Sequence, residues 1–547
     1  MQAFVDDYAH ISQYDPLGEQ ELTPALNTFC RNGARFEQGW TYPMCTPTRS
    51  TLLTGRSAHA SGMGGAMQDN VSLFAQPDLR LFERHWTLPT LLKANDPNFR
   101  TALFGKWHLG VSTEGIEDCA PIAFGFDRYM GHVEGQNITI AYDEELHPAP
   151  EDGYTYYRWE FHDIDRGCTP SVEGAVNYTD REIYSTDGHL EDFEAWIADF
   201  VATDDGDDRF FVWFAPNAPP DPWTEPPRPS SSVYNPIWEN ETVAMVLDNL
   251  TDEDGDGDRD QTDCEGLRVN PNMACEQVLH LLMVAHLDSV IGRLEQTLEQ
   301  AGMRDETLII VLGDNGSDVR LAASVDEAYA DGLSKNTVYE QGSRVPMCMR
   351  GAGIEPSTVV EDPVVAADLY ATLLEMLLDQ PVDALTAEAV AIYEAEDYVP
   401  GVTPQTIAFN GRSLVDRLFF GQPHRRAQVT ELFNFGVPAG DLAPGAAIRW
   451  RFTEEDGLGT TMVGRTFKFI RTERIAPEEG YNETCFDMDD PVNNPMEDLS
   501  SDLLSTLRAD DVEQAACDFL RERLLDDLLT ECNNDNSMFP WTDWCNR

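Results

Sequence analysis

Leu308-Ile309-Ile310-Val311-Leu312 is a continuous apolar run that stops at Gly313-Asp314-Asn315-Gly316. Such a run, ended by turn formers, reads as a central parallel strand covered on both faces. Phe210-Phe211-Val212-Trp213-Phe214, ended by Ala215-Pro216-Asn217, reads the same way. Between them, residues 275 to 301 place Val278, Leu281, Leu282, Ala285, Leu287, Ile291, Leu294 and Leu298 at helical spacing. Strand, helix and strand in this order predict an α/β layered fold. Ligands of such folds gather at the carboxyl ends of the strands, which brings Asp314 and Asn315 forward first.

Gln2 to Val5 reads as the tail of a first strand that runs into Asp6-Asp7. Residues of about 140–170 and 220–275, rich in Pro, Asp, Glu and Asn, read as acidic insertions, and about 380–410 as irregular. Thr461 to Arg471 reads as strand, turn, strand, and Leu499 to Leu529 as helical. These features predict a main domain over residues 1–420 and a smaller C-terminal α+β subdomain over 421–547, with no internal repeat.

The 547 residues are 42% hydrophobic, enough for one large core and a smaller unit. Acidic residues outnumber basic ones 97 to 37, and the net charge of -60 is spread along the chain. Such a surface repels polyanions, which argues against a nucleic-acid partner; an anionic ligand has to be captured by a local cluster of bases. No apolar stretch reaches the roughly 20 residues needed to cross a bilayer, so no membrane span is expected. Setting Cys45 aside, ten of the eleven cysteines remain, enough for five disulfides. An oxidising compartment fits better than the cytosol, with reduced buried thiols as the alternative. The expected location is secreted or periplasmic. No signal peptide precedes the first motif, so the beginning reads as clipped from a longer precursor.

Cys45-Thr46-Pro47-Thr48-Arg49 continues into Ser50-Thr51-Leu52-Leu53-Thr54-Gly55-Arg56. Locally it reads as a Pro- and Thr-rich turn, followed by a helix opened by Ser50 to Leu53 whose N-terminus favours an anion. The run resembles the signature of the sulfatase family. That resemblance implies that a maturation enzyme oxidises Cys45 to formylglycine. The chemistry explains the need: an ordinary hydroxyl or thiol that attacked sulfur would remain as a stable ester, whereas an aldehyde hydrate keeps a second hydroxyl that expels sulfate.

The resemblance extends along most of the chain. Asp6-Asp7 and Asp314-Asn315 match the family's oxygen ligands for a divalent ion, usually Ca2+, with Mg2+ as the alternative and the converted Cys45 as a further ligand. Gly105-Lys106-Trp107-His108-Leu109-Gly110 is similar to its second signature. If this segment is extended, Lys106 and His108 face one pocket while Trp107 packs behind. There the pair binds sulfate oxygens, and His108 also handles a hydroxyl proton. Lys335, in the block that runs to Pro346, aligns with a lysine for the sulfate or the leaving group, and Arg49 is expected beside the formylglycine. The implied fold is alkaline-phosphatase-like, a central mixed, mostly parallel sheet flanked by helices. The implied function is hydrolysis of a sulfate monoester. A phosphonate or phosphate ester hydrolase on the same scaffold, or a degenerate member with weak or no turnover, is the alternative.

Two departures bear on that alternative. In Asn217-Ala218-Pro219-Pro220-Asp221-Pro222, Pro220 stands where the family presents a histidine that contacts the sulfate ester. His132, His147 and His162 are the candidates to replace it. Ala9 stands where glycine is usual after the paired aspartates. Separately, Asp252, Asp254, Asp256, Asp258, Asp260 and Asp263 fall at positions 1, 3, 5, 7, 9 and 12 of an EF-hand-type loop, with Gly257 at position 6. This predicts a second, structural calcium, set against a solvated acidic loop. Cys264 beside it is expected to pair with Cys275.

Overall fold

The computed structural model describes residues 2–5, 23–61, 63–65, 87–110, 119–132, 155–165, 168, 177–204, 206–220, 222–228, 236–252, 259–264, 268–270, 273–318, 334–378, 411–424, 427–432, 445–451, 456, 458, 465–473, 481–489 and 511–534. Along the main domain the chain forms β1 (Gln2–Val5), α1 (Pro24–Arg31), β2 (Ala34–Phe36), α2 (Cys45–Thr54), α3 (Leu88–Asn95) and β3 (Phe99–Lys106). There follow β4 (Arg128–His132), β5 (Trp159–Asp165), β6 (Asn177–Arg181), α4 (Ser185–Thr203), β7 (Arg209–Ala215) and α5 (Cys275–Gln300). Then come β8 (Ile309–Gly313), β9 (Met347–Arg350), β10 (Thr358–Val360) and α6 (Ala366–Leu378).

The strands form one ten-stranded sheet in the order β10-β2-β9-β8-β1-β7-β3-β4-β5-β6. From β8 across β1, β7 and β3 to β4 every neighbouring pair is parallel, while β9 and β5 run antiparallel on either side. The sheet is therefore mixed and centrally parallel, as the two apolar runs predict. Five carboxyl ends emerge along one edge. Successive residues of each strand feed opposite layers: Phe104 and Phe214 join Phe193 of α4 and Leu287 of α5, whereas Leu103 and Trp213 join Leu52 of α2 and Leu369 of α6. β3 and β7 lie so close that a Cβ on Gly105, at φ 101°, would stand 2.0 Å from the Ala215 carbonyl oxygen. Only glycine fits there.

Disulfides brace this core. Cys264 pairs with Cys275 at the start of α5, as expected from sequence, Cys30 of α1 with Cys348 of β9, and Cys119 with Cys168. Part of the region read as an acidic insertion is instead a sheet strand: β5 pairs with β4 and β6 through residues 159–165.

In the C-terminal region β11 (Ala427–Leu432), β12 (Gly445–Arg451), β13 (Thr466–Glu473) and β14 (Tyr481–Asp487) form an antiparallel sheet in chain order. Helix α7 (Asp511–Asn534) packs on β12 and β13 and is joined to β14 by Cys485–Cys517. The expected strand, turn, strand at 461–471 is one strand from Thr466, residues 461–464 lying outside the described residues. Of the helix expected at 499–529, the described part begins at Asp511.

Candidate active site

The helix at the Cys45 motif begins earlier than the sequence suggests. Met44 is extended at φ -146°, ψ 156°, and Cys45 is already the first helical residue of α2. Pro47 is tolerated because the first turn of a helix has no intrahelical use for its missing amide hydrogen. All ten residues of α2 are buried, so packing rather than local propensity settles the helix. Gly55, at φ 68°, ends it in the left-handed conformation typical of a helix C-terminus.

Three residues behind the Cys45 thiol fasten this helix to the sheet. Thr46 Oγ1 donates to the His108 carbonyl at 3.1 Å, and Thr48 Oγ1 to the Asp314 carbonyl at 2.6 Å. Arg49 donates through Nε and Nη2 to Asp314 Oδ2 at 3.2 and 3.0 Å and through Nη1 to the Lys106 carbonyl at 2.8 Å. One guanidinium thus ties the ends of β8 and β3 to the helix that carries Cys45. Arg49 and Asp314 both have no solvent exposure, where such charge-assisted bonds are stronger than at a surface.

Lys106 ends β3 and is buried, and Trp107 packs behind it, stacked on Phe124 at 5.5 Å. His108 departs from the extended alternation expected for the pair. Its φ is 53°, a left-handed turn that sets its direction independently of strand register. Lys335 lies in the loop from Ser334 to Thr337: its amide donates to the Ser317 carbonyl at 3.0 Å, and the Asn336 amide to the Pro43 carbonyl at 2.9 Å. The following turn, Glu340–Ser343, packs on Gly316, whose amide donates to Gly342 at 2.9 Å. A Cβ on Gly316 would stand 1.6 Å from the Gln341 carbonyl oxygen.

The C-terminal sheet closes this group from outside, and no sequence signal announced it. Ala447, Ile470, Phe486 and Met488 bury Met44 and Val338, neighbours of Cys45 and Lys335. Arg449 donates to Glu340 at 3.0 Å and to Gln38 Oε1 at 2.7 Å, with its guanidinium 5.4 Å from the Trp40 ring centre.

Asp314 and Asn315 are wholly buried at the end of β8. The Asn315 side-chain nitrogen donates to the Gly316 carbonyl at 2.9 Å, which fixes the other end of the amide as the oxygen. Carboxylate and amide oxygens suit a hard divalent cation, so this donor set fits calcium or magnesium. β1 ends with Val5 beside Gly313. Asp6 and Asp7 lie outside the described residues, and among the described residues no three His, Cys, Asp or Glu side chains converge as a metal cage.

Of the candidates to replace the missing histidine, His132 stands at the site, opposite Lys106 in the β3–β4 register. His162, on β5 and in register with Gly131, sits one strand further out, and His147 lies outside the described residues. Burial first, then the charges of its neighbours His189, Lys106, His162 and Arg49, hold the His132 ring well below the usual histidine range, so it is neutral. Pro220 is buried after β7, its carbonyl accepting from the Tyr156 hydroxyl at 2.9 Å.

In the acidic loop Asp254, Asp256 and Asp258 lie outside the described residues. Asp252 is exposed. Asp260 Oδ1 accepts from the Thr262 amide at 2.6 Å and Asp263 Oδ2 from the Asp260 amide at 3.1 Å, capping a short turn.

The family model described as Sulfatase matches residues 6–379. The arylsulfatase of Klebsiella aerogenes is 27% identical over 326 residues, 57% of this chain; the match spans 65% of that relative, just under two thirds. The solved structure of yidJ from Bacteroides fragilis superposes with a TM-score of 0.60 at 16% identity, over 98% of this chain and 96% of its own. The phosphonate monoester hydrolase SpPMH from Silicibacter pomeroyi gives 0.50 at 18% identity, over 96% and 94%. By the extent of the family match and the sheet that carries its motifs, the chain belongs to the sulfatase family.

Proposed function

We propose that this chain hydrolyses a sulfate monoester to an alcohol and inorganic sulfate, using a formylglycine made from Cys45. The observation that carries the reading is Arg49, which holds the Cys45 helix, the Asp314 carboxylate and the end of the Lys106 strand together in one buried contact.

In this reading Asp6, Asp7, Asp314 and Asn315, with the converted Cys45, hold a divalent cation, calcium by its all-oxygen donors. When bound, the cation polarises sulfuryl oxygens and favours ionisation of the hydrate. The protein's own groups do the rest. Arg49 pairs with the Asp314 carboxylate and steadies the hydrate. His108 takes the proton of the attacking hydroxyl. Lys106 and Lys335 bind the sulfuryl oxygens. The hydrate oxygen bonds to sulfur while the bond from sulfur to the alcohol oxygen breaks, and the departing oxygen takes a proton from solvent, to which His108 returns the one it removed. The second hydroxyl then loses its proton, the carbon–oxygen bond to sulfate breaks, and the aldehyde reforms for a new water.

A maturation enzyme is the implied partner, and the disulfides among the described residues favour an oxidising, secreted or periplasmic location. We propose the division into residues 1–420 and 421–547, the second part serving as the outer wall of the site. The test is the mass of the Cys45 peptide from protein made with the maturation enzyme, together with turnover of 4-nitrophenyl sulfate. Formylglycine and a rate lost on Cys45→Ala are expected. A matured protein that cleaves a phosphonate ester and no sulfate ester would establish the other chemistry.

A further inference from the structure

His132 occupies a place in the sheet that the roles of Lys106, His108, Arg49 and Lys335 leave unexplained. It is the last residue of β4, and the parallel register sets it directly against Lys106, the last residue of β3. Residues in register on adjacent parallel strands point to the same face, so the imidazole and the ammonium share one side of the sheet. The ring is only 5% exposed, yet neither nitrogen has a hydrogen-bond partner among the described residues. Its neighbours there are rings: His189 stacked at 5.8 Å and Trp159 edge-on at 6.1 Å. A buried polar group without a partner is costly, and such groups in native proteins call for a water, an ion or a ligand.

The charges that reach His132 narrow the choice. Lys106, in register with His132, is the nearer cation that reaches it, since the Arg49 guanidinium is already paired with Asp314. A cation ligand is disfavoured there and an anion is favoured. His189 differs. It lies over Gly105, one residue deeper along β3, with Nδ1 3.3 Å from where a glycine Cβ would stand. It therefore backs His132 rather than reaching the strand ends. As a neutral ring, His132 keeps one N–H to donate, and donation to an anion is worth more than to a neutral acceptor.

We propose that His132 is a direct ligand of the sulfate group, donating an imidazole N–H to a sulfuryl oxygen beside Lys106. The proposal rests on the hydrolase reading for its substrate, but the binding of the tetrahedral anion is separable from turnover. His132 replaces one of the donors lost at Pro220 from the opposite side of β3, the strand between β7 and β4.

The experiment uses the matured full chain with inorganic sulfate as the probe. In protein labelled with 15N at histidine, the His132 resonances, assigned by their loss in His132→Gln, are expected to shift saturably with sulfate. His132→Ala is expected to weaken sulfate binding about tenfold or more and to lower kcat/KM for 4-nitrophenyl sulfate by about 10²- to 10³-fold. His132→Gln, which keeps an N–H donor, should recover part of both. A His132→Ala protein that melts like the wild type and keeps its sulfate affinity and kcat/KM overturns the proposal. If that variant does not fold, the wild-type titration decides alone, and unmoved His132 resonances at saturating sulfate also overturn it. A wild type that binds sulfate through His132 but cleaves no sulfate ester leaves this inference standing and removes the hydrolase reading.

Discussion

Arg49 and Asp314, 265 residues apart in sequence, meet with no solvent exposure on either side chain, two guanidinium nitrogens sharing one carboxylate oxygen at 3.0 and 3.2 Å. The same guanidinium holds the Lys106 carbonyl at 2.8 Å. Removing one partner of a buried ion pair leaves the other charge uncompensated, at a cost of about 3–5 kcal/mol. Arg49→Ala is therefore expected to lose that much stability in urea unfolding and at least about 10²-fold in kcat/KM. Arg49→Lys restores a charge but only a point of it, since the fork that reaches Asp314 and Lys106 together is gone. It should recover stability more than rate. Equal recovery of both would mean that the geometry of the fork is irrelevant.

A second buried pair reaches the site from outside. Glu340 begins the turn that packs on Gly316 and follows the Lys335 loop, and Arg449 of the C-terminal sheet is bonded to it at 3.0 Å. Arg344 also reaches Glu340, at 3.4 Å, so the carboxylate keeps a partner when Arg449 is removed. Arg449→Met is therefore expected to cost less than a full orphaned charge, about 1–3 kcal/mol, while lowering kcat more than it raises KM, because Lys335 is displaced rather than deleted. Addition of the Arg449→Met and Glu340→Gln effects without coupling in a double-mutant cycle would argue that the contact is incidental.

What could be read in the sequence follows from how local each signal is. The strand at Ile309–Gly313 and the helix at Cys275–Gln300 were legible because a continuous apolar run and a helical period are properties of a short window. The start of α2 at Cys45 was hidden: Pro47 with Thr46 and Thr48 looks like a turn, and burial of every residue in the helix overrides that appearance. β5 was missed inside an acidic region, although Trp159 and Phe161 alternate with Glu160 and His162 at the period of a strand. The turn at His108 and the Arg449–Glu340 contact carry no local mark at all, because one depends on a single backbone angle and the other joins residues 109 apart. Motif resemblance set Arg49 against the metal carboxylates, but not against the Lys106 carbonyl that it also holds.

Buried neutral histidines make the fold sensitive to acid. Burial lowers His189 from 6.5 to about 3, with the charge of Arg181 adding to it, and burial lowers His280 to about 4. Below pH 6.5 the unfolded chain takes up protons at these sites and the folded chain does not, so stability falls as pH falls. Each site contributes about 1.4 kcal/mol per pH unit, His280 down to about pH 4 and His189 down to about pH 3. Neither His189 nitrogen has a hydrogen-bond partner among the described residues, so an apolar ring of similar size leaves no lost bond behind. His189→Phe should therefore flatten the dependence of unfolding free energy on pH between 4 and 6 by about 1.4 kcal/mol per unit, with little change near pH 8. Urea midpoints measured across that range check it, and an unchanged slope would show that His189 titrates normally.

The expectation that Pro220 fills the place of the family's histidine bears on the rate. Pro220 is held in place through its backbone, the carbonyl accepting from Tyr156 at 2.9 Å, so a side chain can be exchanged there without removing that contact. Proline offers the departing alcohol no donor. Charge on the leaving oxygen grows as the bond to sulfur breaks, and it grows most for alcohols that are poor leaving groups. A histidine introduced at this position should therefore raise kcat/KM for alkyl sulfates by about 10-fold to 10²-fold, and for 4-nitrophenyl sulfate by much less, because nitrophenolate needs little help. The gain should fall away above the pKa of the new imidazole. An equal effect on both substrates would place the new side chain at the sulfuryl oxygens, whereas loss on both would mean that the proline ring itself shapes the loop after β7.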